Sequence, residues 1–486
     1  MSHYKFIVRI ASMLFIVVTV ASAAQSAVGA ELDSGTLPYP VQLLLAKHKI
    51  PEQSLSVYVQ DVTVSKPLLS VAADVPRNPA SAIKLLTTLV ALDSLGPAYT
   101  WRTTALITGP LNGGQLTGDL YIRGGGDPFL VTERFWKFLL EIRQSGLQHI
   151  TGNVIVDNSY FDIPATDPGE FDGRPSRPYN VQPQATLVNF GATRFWLTPD
   201  PTRKRVDIAT DPPSSSLIID NEVKLTRGKC TNGPKDLRFT VVNRKNTGHV
   251  KFSGSYPSTC GRYALTRAVS DNTDHVLGSF DAMWLSLGGS IGGRSGEGAT
   301  PDHARLLHTY KSPPVSEIIR TINKFSNNVM SRQVLLTLGA ERFKPPATYR
   351  KGRDAIGQWL TRFGLDFPEL FVDNGAGLSR HTRICARSLG RLLMTAYESP
   401  LMPEFVSSLP LSAVDGTLRK RFKNKPLARR IHLKTGTIDD VRSMGGYLLT
   451  KDGRTLVVVS LHNYPGVQIG TGTEIQNALL EWLYDR

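Results

Sequence analysis

In the first part of the chain, apolar residues recur with two different periods. Over residues 54–70 apolar and polar side chains alternate, as at Leu55, Val57 and Val59, which predicts a pair of strands with a turn near residues 63–66. From Ser81 to Leu95 apolar residues instead recur every three or four positions and form a broad face. This second pattern predicts a largely buried helix that begins at Ser81.

The hydrophobic pattern changes over residues 100–270, where short runs typical of β-strands alternate with turns. The runs are 116–123, 152–157, 205–209 and 237–242. One amphipathic helix intervenes from Phe135 to Ile142, and five prolines between Pro164 and Pro183 indicate an extended linker. We expect an inserted β-rich region in two parts: one domain from residues 99–165 and 226–271, and a second sub-domain from residues 166–225.

Helical periodicity returns from Ser316 and continues near residues 356–363 and 385–397. Residues 444–450 and 455–461 flank an Asp452-Gly453 turn, which predicts a β-hairpin, and a last helix is predicted over residues 473–484. The chain is therefore expected to have a multidomain α/β (α+β) fold.

The composition excludes global disorder, because 41% of the residues are hydrophobic and only 20% are charged. Lysine and arginine number 56 against 41 acids, and the resulting net charge of +15 favours a polyanionic partner. Nucleic acid, anionic lipid and an acidic wall polymer all fit this charge.

The N-terminal sequence helps to distinguish between these partners. Lys5 and Arg9 precede an apolar stretch over residues 10–20 and then small residues, which is typical of a secretory signal peptide cleaved near Ala23 or Ala30. A retained membrane anchor is the alternative, disfavoured because the apolar core is shorter than the ~20 residues that span a bilayer. Removal of residues 1–30 would leave a net charge of +13. We expect an exported protein, in the periplasm or on the exterior of the cell envelope, with no nucleic-acid partner.

The chain has three cysteines. In an oxidising compartment Cys230 and Cys260 can form a disulfide, and closing a loop of about 30 residues would stabilise the fold by on the order of 3–4 kcal/mol. Cys385 is expected to be a buried free thiol. No two cysteines are close in sequence and no histidine pair has metal-ligand spacing, so a zinc site and a cysteine nucleophile are disfavoured. No cofactor is expected.

Ser81-Ala82-Ile83-Lys84 places a serine and a lysine three positions apart where the predicted helix begins. Residues with this spacing share a helix face, so the Lys84 amine can reach the Ser81 hydroxyl. The N-terminal end of a helix also offers backbone donors and a positive dipole to developing negative charge. A helix cap beside an exposed lysine is the alternative, and this motif alone does not exclude it.

Two further motifs follow in order. Ser326-Asn327-Asn328 interrupts a helical pattern as a helix junction would, so that Asn328 could hold a substrate amide and Ser326 could relay a proton. Lys434-Thr435-Gly436-Thr437 is expected to open a strand at a sheet edge, where Gly436 lets another backbone approach and the lysine and hydroxyls suit a carboxylate. Alone, each motif also fits a plain loop or turn. The three together in this order are the signature of penicillin-interacting serine acyl enzymes.

The separation of Ser81 from Ser326 is longer than a β-lactamase needs, and the whole pattern resembles one family. This family is the class C low-molecular-mass penicillin-binding proteins, D-alanyl-D-alanine carboxypeptidases that also act as endopeptidases. The resemblance covers nearly the whole mature chain. Beyond the three motifs it rests on Asn78-Pro79-Ala80, Gly125-Gly126-Asp127-Pro128, Val156-Asp157-Asn158-Ser159-Tyr160-Phe161, Gly377-Leu378-Ser379-Arg380, Asp415-Gly416-Thr417-Leu418 and Gly446-Tyr447.

The resemblance implies a fold and a reaction. A penicillin-binding, β-lactamase-like transpeptidase domain would consist of residues 36–98 and 272–486, with the β-rich region inserted into it. Ser81 would be acylated by peptidoglycan stem peptides or by β-lactam antibiotics, Lys84 would be its base, and Ser326 would relay a proton. The chemistry agrees, because a lysine can act as a base only if burial and a nearby cation such as Lys434 depress its pKa.

The resemblance also implies positions that bind the substrate. Asn328 would orient the scissile amide, the backbone amides of Ser81 and Thr437 would form the oxyanion hole, and the terminal carboxylate would contact Lys434, Thr435 and Thr437. Positions that match the family's recognition of the stem-peptide diamino acid are Asp157, Phe161, Arg380, Thr417 and Asp439. The chain departs from the family at Ala376, where a hydroxyl is usual, and at Asp439, where a neutral side chain is common.

Other classes of function fit the sequence less well. A β-lactamase or esterase would deacylate penicillin fast, and a catalytically idle wall-binding protein would keep the fold without turnover, which the intact Ser81, Lys84 and Ser326 disfavour. A Ser-His-Asp hydrolase has no support, because no histidine follows a Gly-x-Ser-x-Gly elbow. The basic run over residues 419–430 is by default a solvated surface, and otherwise a contact for anionic wall polymer or lipid headgroups. The pattern leaves open the balance of carboxypeptidase and endopeptidase activity, the diamino acid and the oligomeric state.

Overall fold

A computed structural model describes residues 35–244 and 247–486 of the 486-residue chain. The predicted signal peptide over residues 1–30 lies outside the described residues. The described α-helices are α1 (Tyr39–Lys47), α2 (Lys84–Leu95), α3 (Thr132–Gln144), α4 (Asn272–Ser286), α5 (Val315–Phe325), α6 (Asn328–Phe343), α7 (Tyr349–Arg362), α8 (Ala386–Glu398), α9 (Met402–Ser408) and α10 (Thr471–Tyr484).

The described strands fall into five sheets. They are β1 (Leu55–Asp61), β2 (Leu69–Val71), β3 (Arg102–Ile107), β4 (Leu111–Asn112), β5 (Gln115–Leu116), β6 (Leu120–Gly124), β7 (His149–Ile150), β8 (Val154–Asp157), β9 (Thr193–Asp200), β10 (Arg205–Asp211), β11 (Leu217–Thr226), β12 (Arg238–Asn243), β13 (Gly248–Pro257), β14 (Tyr263–Arg267), β15 (Ser290–Ile291), β16 (Ser295–Glu297), β17 (Arg305–Lys311), β18 (Ile431–Ile438), β19 (Val441–Leu449) and β20 (Thr455–Asn463).

An antiparallel sheet with the strand order β18-β19-β20-β1-β2 contains the Lys434-Thr435-Gly436-Thr437 motif in β18. Both of its faces are covered. Val457 and Val459 of β20 pack with helices α2 and α5 to α8, whereas Leu456 and Val458 pack with α1 and α10. Because successive residues of a strand point to opposite faces, a strand covered on both sides is apolar at nearly every position.

The elements predicted around the motifs are confirmed. Strands β1 and β2 are antiparallel with Val59 opposite Leu69, and β19 and β20 form the hairpin around Asp452-Gly453. The predicted helix begins as a 3₁₀ turn, Ala80–Ile83, that continues directly into the buried α2. Strand β18 lies at the sheet edge as predicted, but Lys434 is in its middle rather than at its start.

The inserted region contains two further hydrophobic cores. One lies between the sheet β16-β8-β6-β3-β17 and the helices α3 and α4, where Phe138 and Phe280 pack on Ile122. The other lies between the sheets β10-β9-β14 and β11-β13-β12 and is centred on Phe195 and Phe252.

The predicted boundaries of the inserted parts differ from this arrangement. Strand β9 pairs with β14 and β11 pairs with β13, so residues 166–225 are not a sub-domain separate from residues 226–271. In addition, β16 pairs with β8 and β17 pairs with β3, so these strands of the predicted catalytic segment 272–486 complete the inserted sheet instead. Local periodicity does not reveal strand partners that are distant in sequence.

The predicted disulfide between Cys230 and Cys260 is confirmed, with 4.8 Å between the Cα atoms. It joins the segment after β11 to the end of the neighbouring strand β13. Cys385 is a buried free thiol as predicted, and its Sγ accepts a hydrogen bond from the backbone N–H of Ser388 at the start of α8. Among the described residues, no helix combines the length and the apolar character needed to cross a membrane.

Candidate active site

Ser81 and Lys84 are in direct contact at the start of α2. Lys84 Nζ lies 2.9 Å from Ser81 Oγ and 2.7 Å from Asn328 Oδ1, and it also donates to the backbone carbonyl of Ala376. A neutral amine has two N–H groups and one lone pair. The amide oxygen of Asn328 and the carbonyl of Ala376 can accept both hydrogens, which leaves the lone pair for the proton of Ser81.

Three influences favour this neutral form of Lys84. The side chain is fully buried, and burial is the main cause that holds its pKa well below the usual value. The positive charges of Lys434 and Arg332 lower the pKa of Lys84 further. The amine therefore has the property that a general base needs near neutral pH.

Ser326 faces the same site from the junction of α5 and α6. It ends α5 in the left-handed conformation, with φ 57° and ψ 37°, and this turns the chain sharply before α6 begins. Lys434 Nζ donates to Ser326 Oγ at 2.9 Å and to the backbone carbonyl of Thr435 at 2.8 Å. Burial lowers the pKa of Lys434 to about 7, so this amine can also exchange a proton near neutral pH.

The two asparagines of the second motif do different things. Asn327 caps α6, because its Oδ1 accepts from the backbone N–H of Met330 at 3.0 Å. Asn328 points into the site, where its Oδ1 accepts from Lys84 and its Nδ2 lies 3.4 Å from the carbonyl of Tyr179. The helix start therefore places the second asparagine, rather than the first, in contact with Lys84.

Two glycines let separate segments close around Ser81. A Cβ on Gly436 would collide with Ser443 Oγ and the Pro79 carbonyl, and would lie 2.9 Å from Ser81 N. A Cβ on Gly377, which has a φ of +77°, would collide with the carbonyl of Ala80. Strand β18 and the 375–380 loop can thus reach the backbone around Ser81 only because both positions lack a side chain.

The departure at Ala376 does not affect its contact with Lys84. The amine uses the main-chain carbonyl of residue 376, which is present whatever side chain stands there. The neighbouring carbonyl of Gly375 accepts from Thr87 Oγ1 and Ser331 Oγ, both at 2.8 Å. The loop is therefore held to α2 and α6 by its backbone.

Three of the five side chains predicted for diamino acid recognition lie near the β18 edge. Arg380 donates to the Asp439 carboxylate at 3.3 Å and to its carbonyl at 3.1 Å, and its guanidinium lies 4.8 Å from the centre of the Phe171 ring. Thr417 Oγ1 lies 3.0 Å from Thr435 Oγ1. Arg380 also lines a cavity of about 430 Å³ together with Asn180, Gln182, Arg332 and Ser379.

Asp157 and Phe161, the other two positions predicted for diamino acid recognition, are buried. The Asp157 side chain is 1% exposed, and its carboxylate accepts from the N–H groups of Ser159 and Thr300 at 2.9 Å and from Arg123 Nε at 3.0 Å. Phe161 is buried against Gly126 and against Leu336 of α6. The carboxylate of Asp157 already has these partners inside the protein, and its predicted contact with a substrate stays a prediction.

Two arginines at the site were not predicted from the sequence. Arg332, one turn after Asn328 on α6, is 5% exposed and donates from Nη1 to the Val181 carbonyl at 3.1 Å. Arg442 of β19 donates from Nη1 to Thr437 Oγ1 at 2.6 Å. The only local signal for Arg332 is its position i+4 from Asn328, which puts both residues on one face of a helix.

In the described part of the chain, no three His, Cys, Asp or Glu side chains are grouped as metal ligands would be. The site consists instead of two hydroxyls, two buried amines, an amide and converging backbone segments. Such a set can activate a serine, transfer protons and bind an oxyanion.

Comparison with known proteins agrees with this chemistry. The model of the D-Ala-D-Ala carboxypeptidase 3 (S13) family matches residues 39–485. A D-alanyl-D-alanine carboxypeptidase from an Actinomadura species is 25% identical over 426 residues, which cover 84% of this chain and 78% of that protein. The D-alanyl-D-alanine carboxypeptidase DacB of Haemophilus influenzae is 22% identical over 79% of this chain and 80% of its own length.

The fold also matches solved structures. The crystal structure of penicillin binding protein 4 from Haemophilus influenzae covers 92% of this chain and 99% of its own, with a TM-score of 0.75 and 20% identity. The same protein has been solved in complex with a β-lactam, and this form has a TM-score of 0.72 with this chain.

Proposed function

This chain belongs to the D-Ala-D-Ala carboxypeptidase 3 (S13) family and is a serine DD-peptidase, and we propose that Ser81 is the nucleophile with which it cleaves stem peptides of peptidoglycan. The observation that carries this proposal is the buried Lys84 amine, 2.9 Å from Ser81 Oγ, with two acceptors for its hydrogens. No other base is needed to activate the serine.

Acylation would proceed in two steps. Lys84 takes the proton of Ser81 as Oγ attacks the carbonyl carbon before the terminal D-alanine, and the backbone N–H groups of Ser81 and Thr437 stabilise the oxyanion. The scissile C–N bond then breaks, and the leaving nitrogen receives the proton that Lys84 took, passed on through Ser326 Oγ, so that Lys84 is neutral again before water attacks. Ser326 Oγ is held in place by its hydrogen bond with Lys434. Asn328 would orient the scissile amide from the opposite side.

Deacylation would use the same groups in reverse order. Once the terminal D-alanine leaves, a water molecule takes its place, gives a proton to Lys84 and attacks the ester carbonyl. The ester C–O bond breaks and Ser81 Oγ regains its proton from Lys84. This sequence gives hydrolysis and regenerates the free enzyme.

The C-terminal carboxylate and the diamino acid side chain of the substrate would bind at different edges of the site. We propose that Thr435 and Thr437 of β18 contact the terminal carboxylate, with Lys434 beneath them. Arg380, Asp439 and Thr417 would contact the diamino acid side chain, because Arg380 lines the cavity and pairs with Asp439. Thr417 contacts Thr435 of β18. β-Lactams would acylate Ser81 as substrate analogues, as supported by the β-lactam complex of the Haemophilus influenzae relative.

We further propose that the enzyme acts in the periplasm. The predicted signal peptide supports export, and peptidoglycan lies outside the cytoplasmic membrane. Within the basic run, Arg419, Lys420 and Lys423 are exposed, which supports a peripheral contact with anionic polymer.

The test is mass spectrometry of the purified protein after labelled penicillin and, separately, after a pentapeptide ending in D-Ala-D-Ala. We expect one acyl group that maps to Ser81 and release of D-alanine from the pentapeptide. Lys84→Arg should retain the fold and lose acylation by several orders of magnitude, because a guanidinium stays protonated near neutral pH. An adduct on another serine would refute the assignment of the nucleophile. Rapid release of hydrolysed penicillin with no D-alanine would favour a β-lactamase instead.

A further inference from the structure

Arg442 stands opposite Thr437 where strands β18 and β19 pair at the edge of the active site. Its Nη1 donates a hydrogen bond of 2.6 Å to Thr437 Oγ1. A hydroxyl that accepts from a guanidinium keeps its own hydrogen for another acceptor, and the positive charge polarises that O–H group. The Thr437 side chain is exposed, so its hydroxyl can donate to a bound ligand.

The charge of Arg442 has no acidic partner. Within residues 35–244 and 247–486 it forms no salt bridge, and its buried Nε has no hydrogen-bond partner. A second guanidinium, that of Arg421, repels it at close range and is held by the neutral side chains of Asn477 at 2.5 Å and Gln476 at 3.4 Å. Glu481 offsets part of the charge of Arg421, so a bound anion would relieve mainly the charge of Arg442.

The packing behind the strand leaves space for Arg442. A Cβ on Gly472, in the first turn of α10, would lie 2.8 Å from both Cβ and Cγ of Arg442. The absence of a side chain at Gly472 therefore allows the arginine to pass under the strand and reach Thr437.

The other cations near Thr437 are poorly suited to hold a carboxylate. Burial lowers the pKa of Lys434 to about 7, so a large fraction of this amine is neutral at pH 7, and its hydrogens contact Ser326 and the Thr435 carbonyl. Arg380 is paired with Asp439. Burial lowers the pKa of Arg442 as well, but a guanidinium starts from a value far above neutral pH, so Arg442 keeps its positive charge beside Thr437.

We propose that Arg442 is a positioning residue that recognises the C-terminal carboxylate of the substrate through Thr437. The guanidinium fixes and polarises the Thr437 hydroxyl, which donates to the carboxylate, and its charge attracts the carboxylate to the edge of β18. This inference rests on the proposed function, because it assigns the substrate carboxylate to the site around Ser81. It adds a residue that none of the three motifs contains.

The experiment compares a pentapeptide ending in D-Ala-D-Ala with the same peptide amidated at its C-terminus. In Arg442→Gln we expect kcat/KM for the free acid to fall about 10- to 100-fold, mainly through KM, since charge-assisted hydrogen bonds are among the stronger ones. For the amidated peptide, kcat/KM should change by less than about threefold. Lys451→Gln is the matched control: it removes one exposed positive charge beyond the far end of β19 and should alter neither peptide.

A double-mutant cycle tests whether Arg442 acts through Thr437. Thr437→Val should also lower kcat/KM for the free-acid peptide more than for the amide. Adding Arg442→Gln to Thr437→Val should lower kcat/KM for the acid much less than Arg442→Gln does in the wild-type enzyme. Thermal unfolding checks that each variant is folded. If Arg442→Gln is unfolded, Arg442→Lys replaces it, and the prediction is then a smaller loss that is again confined to the acid.

Binding to the Ser81→Ala variant separates this inference from the proposed reaction. Calorimetry should show the acid peptide binding more tightly than the amide, with the difference lost when Arg442→Gln is added. This result with no turnover by the wild-type enzyme would refute the proposed function and support the carboxylate contact. Equal losses for acid and amide, or no loss for either, would overturn the role of Arg442.

Discussion

The protonation of Lys84 is set by the residues around its amine. Ser81, Asn328 and the Ala376 carbonyl contact Nζ, and the charges of Lys434 and Arg332 face it from β18 and α6. Burial is the largest influence, but burial alone does not distinguish this lysine from any other internal amine. The two neighbouring cations add a repulsion that can be altered one residue at a time.

We predict that Arg332→Met moves the pH dependence of penicillin acylation to higher pH. Acylation needs neutral Lys84, so the rate rises with pH through the pKa of Lys84, and loss of a nearby cation raises that pKa. Asp373 and Tyr349 also face Arg332, and both stay in place in the variant. The measurement is the acylation rate between pH 5 and pH 10, with a fluorescent penicillin.

Arg342→Met is the control for this shift. It removes the same charge from an exposed position near the end of the same helix, where the arginine contacts Gln358. Its pH profile should match that of the wild-type enzyme. A uniform drop in rate for Arg332→Met without a shift along the pH axis would mean that Arg332 only supports the fold.

The sequence predicted the residues around Ser81 better than those that contact the rest of the substrate. Ser81 and Lys84 are three positions apart, so the geometry of one helix turn brings them together. The substrate contact of Asp157 stays a prediction, and the sequence alone does not show that Ser159, Thr300 and Arg123 bind its carboxylate. Arg332 was missed because a single arginine in a helix ordinarily faces solvent.

At the scale of elements, the active site depends on how closely β18 approaches the start of α2. We predict that Gly436→Ala lowers the rate of penicillin acylation by about 100-fold, because a Cβ there collides with Ser443 Oγ and the Pro79 carbonyl and pushes the strand away from Ser81. Gly357→Ala on α7 is the matched control, since a Cβ at that helical position meets no atom within 4 Å. It should leave acylation unchanged. Equal acylation by both variants would show that the strand adapts without loss of geometry.

Asp157 holds the end of β8 to β6 and to the segment after β16. Burial acts to raise the pKa of its carboxyl, but hydrogen bonds from Ser159 and Thr300 outweigh this and bring the pKa to about 2. The pKa is depressed in the folded state, so the stabilisation is present above the unfolded value of roughly 4 and is lost as the pH falls through about 2.

We therefore predict that Asp157→Asn lowers the free energy of unfolding at pH 7 by on the order of 2 kcal/mol, and that the difference from wild type shrinks between about pH 4 and pH 2. Denaturant unfolding at several pH values measures it. Asp302→Asn, an exposed residue close to Thr300 in sequence, is the control and should have little effect. If Asp157→Asn keeps full stability but loses activity on stem peptides and not on penicillin, the result would support the substrate contact predicted from the sequence.

The strands and helices that carry the motifs could be predicted because each has a strong local period. The pairing of β16 with β8 and of β17 with β3 could not, because the partners are far apart in sequence and the connecting residues include whole elements of other sheets. The extent of the inserted region was misjudged for this reason.

At the scale of the whole molecule, the sub-domain with the disulfide is built as a unit of its own. Its hydrophobic core around Phe195 and Phe252 is separate from the two cores that enclose the catalytic sheet. Helix α6 contacts other parts of the insert instead, since Asn328 reaches the Tyr179 carbonyl and Arg332 reaches the Val181 carbonyl. Damage to the distant sub-domain should therefore spare the nucleophile.

We predict that reduction of the Cys230–Cys260 disulfide destabilises this sub-domain while the acylation of Ser81 by penicillin stays unchanged. The bridge closes a loop of about 30 residues, and in the chain-entropy model its loss costs on the order of 3–4 kcal/mol. Limited proteolysis with and without reductant should show new cleavage within residues 193–267, while a fluorescent penicillin reports acylation in the same samples. The Cys230→Ser, Cys260→Ser double variant is the control, because it should be cleaved there in both conditions and respond to neither. If acylation falls in step with the new cleavage, the sub-domain and the catalytic sheet unfold together, and the separate cores do not make them independent.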